Sequence, residues 1–240
     1  MALYLNDKTS NGNTLTNVNT VTEWTADTPF AQSTSAARFV AASTQYLTAA
    51  DSTSLSITNN MTEEMWVKFD SLPSSGNSMA FVGKYKAATG QNSHLLRLQN
   101  NAGTYEIHIF ISSDGTNGNE SLVTWTPSTG TWYHLAVTFA SGSVKFYVNG
   151  SQQGTTQTNT STSIFDGTVV ESIGSWDTTG TPADLFDGKI DDVRVWSVVR
   201  TQTEINNNKS IELTGTETNL NAYWPFEAVL GGGGGFFQMM

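Results

Sequence analysis

The stretch that most restricts what this chain can become is Thr131–Gly150, TWYHLAVTFASGSVKFYVNG, two strand-like runs joined by a tight turn. Val144, Phe146 and Val148 alternate with Lys145 and Tyr147, a period of two that separates an apolar face from an amphipathic one. The preceding run, Trp132 to Phe139, is apolar on both faces, as expected of a strand covered on both sides. Ala140–Ser143 supplies the turn, and Asn149-Gly150 is a second turn signal at the exit. The pattern predicts an antiparallel hairpin with Trp132, Val137, Phe146 and Val148 in the core and Tyr147 outside.

The same alternation recurs along the chain. Met61–Phe69 places Met65, Val67 and Phe69 opposite Glu64, Trp66 and Lys68, and Tyr105, Ile107, Ile109 and Ile111 form an inward row opposite Glu106, His108 and Phe110. Further strands are expected at 2–5, 37–40, 45–49, 79–85, 94–99, 120–125, 169–174, 189–196 and 221–226, with 14–30 mostly loop and 155–163 a Thr-Asn loop. Thr201-Gln202-Thr203-Glu204 has the pattern of a capping box, predicting one short helix over 202–209. Strands spaced by polar turns, with almost no helical periodicity, indicate an all-β, two-sheet antiparallel sandwich or jelly roll. A chain of 240 residues fits one such domain, expected over 1–230. The last strand is expected to lie near the first.

The net charge of −10, from 11 Lys and Arg against 21 Asp and Glu, opposes binding to nucleic acid and to anionic membranes. No apolar run has the length of a spanning helix. Without cysteine there is no disulfide and no thiolate nucleophile or ligand. The N-terminus lacks the basic segment, apolar run and cleavage site of a secretory signal. Display outside the cell or on a virion therefore implies that a signal has been removed or that release occurs by another route, such as lysis.

Five segments, in order, resemble the laminin-G-like or concanavalin-A-like jelly rolls, including their bacterial and phage modules. Ser43–Leu47 resembles that family's SQYL strand, and Met61–Lys68 its FTIEAWVK strand. Gly130–Val137 is similar to GTWYHVAV, Val144–Gly150 to VKFYVNG, and Phe186–Trp196 to FDGKIDDVRIW. Glu63 stands where the family has an apolar residue, which implies that this strand meets solvent or a partner differently.

The resemblance implies a structural calcium near the first strand, where Asp7, Asn11 and Asn13 offer side-chain oxygens and Asp191 or Asp192 would join them across adjacent terminal strands. The alternative is that Asp7 and Asn11 make local turns and Asp192 pairs with Arg194 or Lys189. Trp176-Asp177, with Asp184, resembles in position the loop where related pentraxins hold calcium and ligand, although its acidic set is depleted. A carbohydrate platform needs exposed aromatics beside polar groups. Trp176, Asp177, Asp184 and Tyr147 are the candidate ligand-binding residues, with Phe110 beside His108 a further aromatic.

Catalysis is not expected. The Glu-x-Asp-x-x-Glu strand of family hydrolases does not occur, Glu63 and Glu64 point to opposite faces, and His94, His108 and His134 sit singly in strands. After Gly231–Gly235, the tail Phe236-Phe237-Gln238-Met239-Met240 carries four large apolar residues on a flexible linker. Phe236, Phe237, Met239 and Met240 are candidate anchors to a partner or to further copies of the chain, unless the tail is a cloning remnant or the start of another domain. Two functions therefore compete. One is a non-enzymatic surface module that recognises a glycan or glycoprotein. The other is a structural decoration or fibre subunit of a virion or filament, docked through this tail.

Overall fold

The computed structural model describes residues 3–176 and 181–227. The chain forms β1 (Leu15–Val18), β2 (Thr22–Trp24), β3 (Ala36–Phe39), β4 (Tyr46–Ala49), β5 (Met61–Phe69), β6 (Ser78–Lys84), β7 (His94–Asn101) and β8 (Thr104–Ser112). It continues with β9 (Gly118–Thr124), β10 (Trp132–Ala140), β11 (Ser143–Val148), β12 (Ser151–Thr158), β13 (Glu171–Ile173), β14 (Gly188–Trp196), α1 (Gln202–Asn208) and β15 (Leu220–Trp224). The strands make a two-sheet antiparallel sandwich. One sheet has seven strands in the order β1-β4-β13-β6-β7-β8-β9, and the other has eight, β12-β11-β10-β5-β14-β3-β2 with β15 also on β14. The first half of β14 pairs with β3 and its second half with β15.

The expected hairpin is β10–β11, in register from Leu135↔Val148 to Ala140↔Ser143. Its inward residues Val137, Phe139, Val144 and Phe146 join a continuous core with Met65, Val67, Phe69, Phe81, Ile109 and Phe186. Each such side chain contributes about 1.5–3 kcal/mol by leaving water. Trp132 is not among them: it pairs with Lys68 on the outer face, and its indole N–H donates to Asp27 at 3.1 Å. Tyr147 does face outward, but α1 lies over it, and Tyr147, Ala136 and Ile205 form a small buried cluster.

Among the described residues, 3–5 of the first expected strand belong to no strand, although the Leu5 carbonyl accepts from Leu15 N at 2.8 Å, while two short strands form within 15–24. The Thr-Asn stretch contributes to β12, an edge strand with no apolar alternation to reveal it. Thr201 caps α1 through the full reciprocal box with Glu204. The final strand does lie beside the N-terminal segment, with Lys8 N donating to the Tyr223 carbonyl at 2.8 Å.

Both faces of β5 are covered, and this overturns the solvent-facing reading of Glu63. Glu63 is fully buried on the inner face, where its carboxylate lies 2.8 Å from His94 Nε2, and Glu171 lies 3.3 Å from the same nitrogen. Burial disfavours the imidazolium, but the two carboxylates outweigh it and push His94 up to about 10. On the opposite face Glu64 accepts from the Trp196 indole at 2.8 Å and lies 3.7 Å from Arg194. Arg194 pairs with Asp192 at 2.5 Å and donates to the carbonyls of Asn208 and Ile211, which fastens the end of α1 to β14. Each histidine stands beside carboxylates rather than alone, His134 lying 3.5 Å from Glu64. Among the described residues, no helix is long and apolar enough to cross a membrane.

Candidate functional site

The outer face of the eight-stranded sheet is largely occupied. Besides α1, the segment before β3 contributes Phe30 against Trp66 and Asp27 to Lys68 and Trp132. The outer face of the seven-stranded sheet instead gathers partly exposed aromatic and charged side chains on β7, β8 and β9 and the segment around Trp176.

Phe110 on β8 and Trp176 both meet the ring of Tyr85 edge-on, with centroids 5.0 Å apart in each case and interplanar angles of 90° and 88°. All three rings are half-buried. Gly118, on the neighbouring strand β9, makes this possible: a Cβ there would come within 1.9 Å of the Phe110 ring.

Beside the rings lies a charged network set by strand register. Arg97 pairs across to His108, and Phe110 pairs across to Glu120, so alternate residues of three strands share one face. Arg97 donates to Glu120 at 2.5 Å and to Gln99 at 3.1 Å. His108 contacts Glu120 through Nδ1 at 2.9 Å and Glu106 through Nε2 at 3.1 Å. The His108 hydrogen bond, with Arg97 beside it, holds the Glu120 carboxyl below its ordinary range. Asp184 adjoins the network, accepting from Ser78 at 2.5 Å and lying 4.0 Å from Arg97. The arrangement offers apolar ring edges beside fixed donors and acceptors, the combination that recognises a polyhydroxylated ligand.

The structure therefore brings Trp176 and Asp184 to one face and excludes Tyr147, which is only 3% exposed beneath α1. Asp177, Phe236, Phe237, Met239 and Met240 lie outside the described residues. Arg97, Glu120, Glu106 and Tyr85 were not singled out from sequence. The alternation of Glu106, His108 and Phe110 was the available signal, but Arg97 and Glu120 meet only through the pairing of β7, β8 and β9. Three surface hollows, around Leu5 and Val21, Gly150 and Asn206, and Ile57 and Ser197, have no aromatic side chain in their walls.

The residues suggested for calcium do not make a cage of open oxygens. Asp7 accepts from the backbone and hydroxyl of Thr9, the backbone and side-chain amide of Asn13, and the backbone of Tyr223. Asn11 and Asn13 turn amide nitrogens to the Asn221 carbonyl, while Asn13 Oδ1 accepts from Ser52 and Ser54. A carboxylate surrounded by N–H and O–H donors has its charge satisfied without a cation. Asp191 and Asp192 serve other partners: Asp191 accepts from Ser33 at 2.7 Å, and Asp192 holds Arg194. Burial, opposed by Arg194, raises Asp192 to about 7, and burial with Asp192 alongside raises Asp191 well above the usual carboxylate range.

Residues 41–206 match the model of the concanavalin A-like lectin/glucanases superfamily, and the chain belongs to that family. No curated protein sequence matches it. Among solved structures, a candidate carbohydrate binding protein from Bacteroides ovatus superposes with a TM-score of 0.55 at 22% identity, over 71% of this chain and 46% of its own. Domain 4 of AbnA, a GH43 extracellular arabinanase from Geobacillus stearothermophilus in complex with arabinotriose, gives 0.58 at 17% identity, over 86% of this chain and 97% of the domain. The enzymatically active domain of tailspike protein 2 from bacteriophage CBA120 gives 0.60 at 14%, over 94% and 33%. At these identities the likeness shows the fold. The chain spans less than half of the Bacteroides protein and about a third of the tailspike domain.

Proposed function

We propose that this chain is a glycan-binding module that does no chemistry on its ligand, and that it binds through the outer face of the seven-stranded sheet. The observation that carries the reading is the Phe110–Tyr85–Trp176 ring cluster beside the Arg97–Glu120–His108–Glu106 network. Ring faces and edges pack against the apolar patches of a pyranose or furanose, while the guanidinium and carboxylates meet its hydroxyls. Family membership and the carbohydrate-binding neighbours support it. A general acid would need a raised carboxyl pKa, and Glu120 is shifted the other way.

The test is a glycan array followed by titration of the best ligand against the parent protein, Trp176→Ala and Arg97→Ala. Either variant is expected to weaken binding at least about tenfold, the equivalent of about 1.4 kcal/mol, while Gln153→Ala on the other sheet leaves it unchanged. Undiminished binding by both Trp176→Ala and Arg97→Ala would place the ligand elsewhere. Absence of binding to any glycan would remove the function itself.

A further inference from the structure

The Glu63–His94–Glu171 cluster lies between the sheets, away from the glycan face, and the proposed binding function does not use it. Its three members come from β5 of one sheet and from β7 and β13 of the other, and the one oxygen or nitrogen each offers lies within 4.8 Å of the others. Among the described residues this is the only set of three acidic or histidine side chains so placed.

Its members are well buried, Glu63 at 0%, Glu171 at 1% and His94 at 3% exposure. Although His94 Nε2 lies close to both carboxylates, none of the four carboxylate oxygens and neither ring nitrogen makes a well-aligned hydrogen bond. One imidazolium between two carboxylates balances only one of their charges, and a leftover charge among poorly aligned polar atoms in a core is costly. The nearby cation does not relieve them: Lys84, the cross-strand neighbour of His94, sends its ammonium to Asp51 at 2.5 Å and Asp166 at 3.8 Å.

We propose that Glu63, His94 and Glu171 bind a divalent transition metal ion of the zinc class inside the sandwich. Two carboxylates and a neutral imidazole around a dication sum to zero charge, which a low-dielectric core favours over an ionised trio. A tetrahedral ion with bonds of about 2.0–2.1 Å sets its ligand atoms about 3.3 Å apart. His94 Nε2 lies 2.8 Å from Glu63 and 3.3 Å from Glu171, so small side-chain shifts complete the set. Imidazole as a ligand selects a borderline ion over calcium or magnesium. Second carboxylate oxygens can fill the remaining position. Because the cluster is closed to solvent, the ion is taken up as the sheets come together.

The test is to unfold the full chain in chelator and refold it with Zn2+ or without metal. After gel filtration, the zinc-refolded protein should retain one equivalent of metal and melt several degrees higher than the metal-free form. His94→Gln and Glu171→Gln, refolded alike and checked for β structure by circular dichroism, should retain only background metal. Should those variants not fold, refolding the parent chain with Co2+ decides, since a tetrahedral nitrogen and oxygen set gives intense visible absorption. No retained zinc, retention by folded variants equal to the parent, or a cobalt-refolded protein with no visible band would each overturn the site. Glycan titration run in parallel separates this result from the binding function, because neither outcome depends on the outer face.

Discussion

Replacing Arg194 with methionine tests whether the buried charges on the outer side of β5 are held in balance by one guanidinium. Arg194 is fully buried, contacts Asp192 and Glu64, and donates to the carbonyls of Asn208, the last residue of α1, and of Ile211 just beyond it. Methionine fills part of the volume but leaves two carboxylates without their cation and two carbonyls without a donor. Breaking a buried pair from one side costs about 3–5 kcal/mol, so a loss of about 4 kcal/mol is expected at pH 8.

The loss should depend on pH in a direction that Asp192 fixes. Its folded-state value, about 7, lies above its ordinary 3.8, so the folded chain holds a proton that the unfolded chain has released. Stability from that proton is fully present below the unfolded value and is lost as pH rises through about 7. Without Arg194 the carboxyl rises further, at up to about 1.4 kcal/mol per unit, and the variant should recover about 1–2 kcal/mol relative to the parent at pH 5. Urea unfolding followed by tryptophan fluorescence gives both figures, and hydrogen exchange should show α1 amides losing protection first. A cost below about 1 kcal/mol at pH 8, or one that grows at pH 5, would refute the account. Adding Asp192→Asn to the variant should restore part of the loss.

Thr201→Ala removes the hydroxyl that accepts from Glu204 N and leaves the Thr201 backbone N–H donating to the Glu204 carboxylate, so it should cost about 1 kcal/mol in thermal unfolding; an unchanged melting temperature would mean the cap is idle. Gly118→Val drives a side chain into the Phe110 ring, so it should cost about 1–3 kcal/mol and weaken glycan binding together. Asp7→Asn turns an amide toward donors that now meet a carboxylate, for an expected loss of about 2–3 kcal/mol. Adding millimolar Ca2+ to chelator-treated protein should leave the melting temperature unchanged, and a rise would return a cation to Asp7.

The fold was legible where one chemical pattern decided the answer. Period-two alternation marked β5, β8 and β11, and Thr201 with Glu204 marked α1. It was hidden where pairing, rather than composition, made the strand: Ser151–Thr158 is nearly all polar, and β11 orders it. Tyr147 and Trp132 show why a strand pattern alone does not settle burial. Alternation gives the face on which a side chain lies, but what covers that face comes from residues far away in sequence, here Ile205 and Asp27. The proposed glycan face was half visible for the same reason. Trp176 and the Glu106–His108–Phe110 alternation lie along the chain, whereas the meeting of Arg97 with Glu120 exists only in the folded register.

The covering of one sheet by α1 and the segment around Asp27 and Phe30 has a consequence for how copies of this chain would work together. Each copy presents its ring cluster on one side and its helix on the other, so it has a front and a back. Copies mounted by their backs on a scaffold would turn every front to the same horizon. A weak grip on one sugar would then be multiplied by the number of fronts a branched or repeating glycan can touch at once.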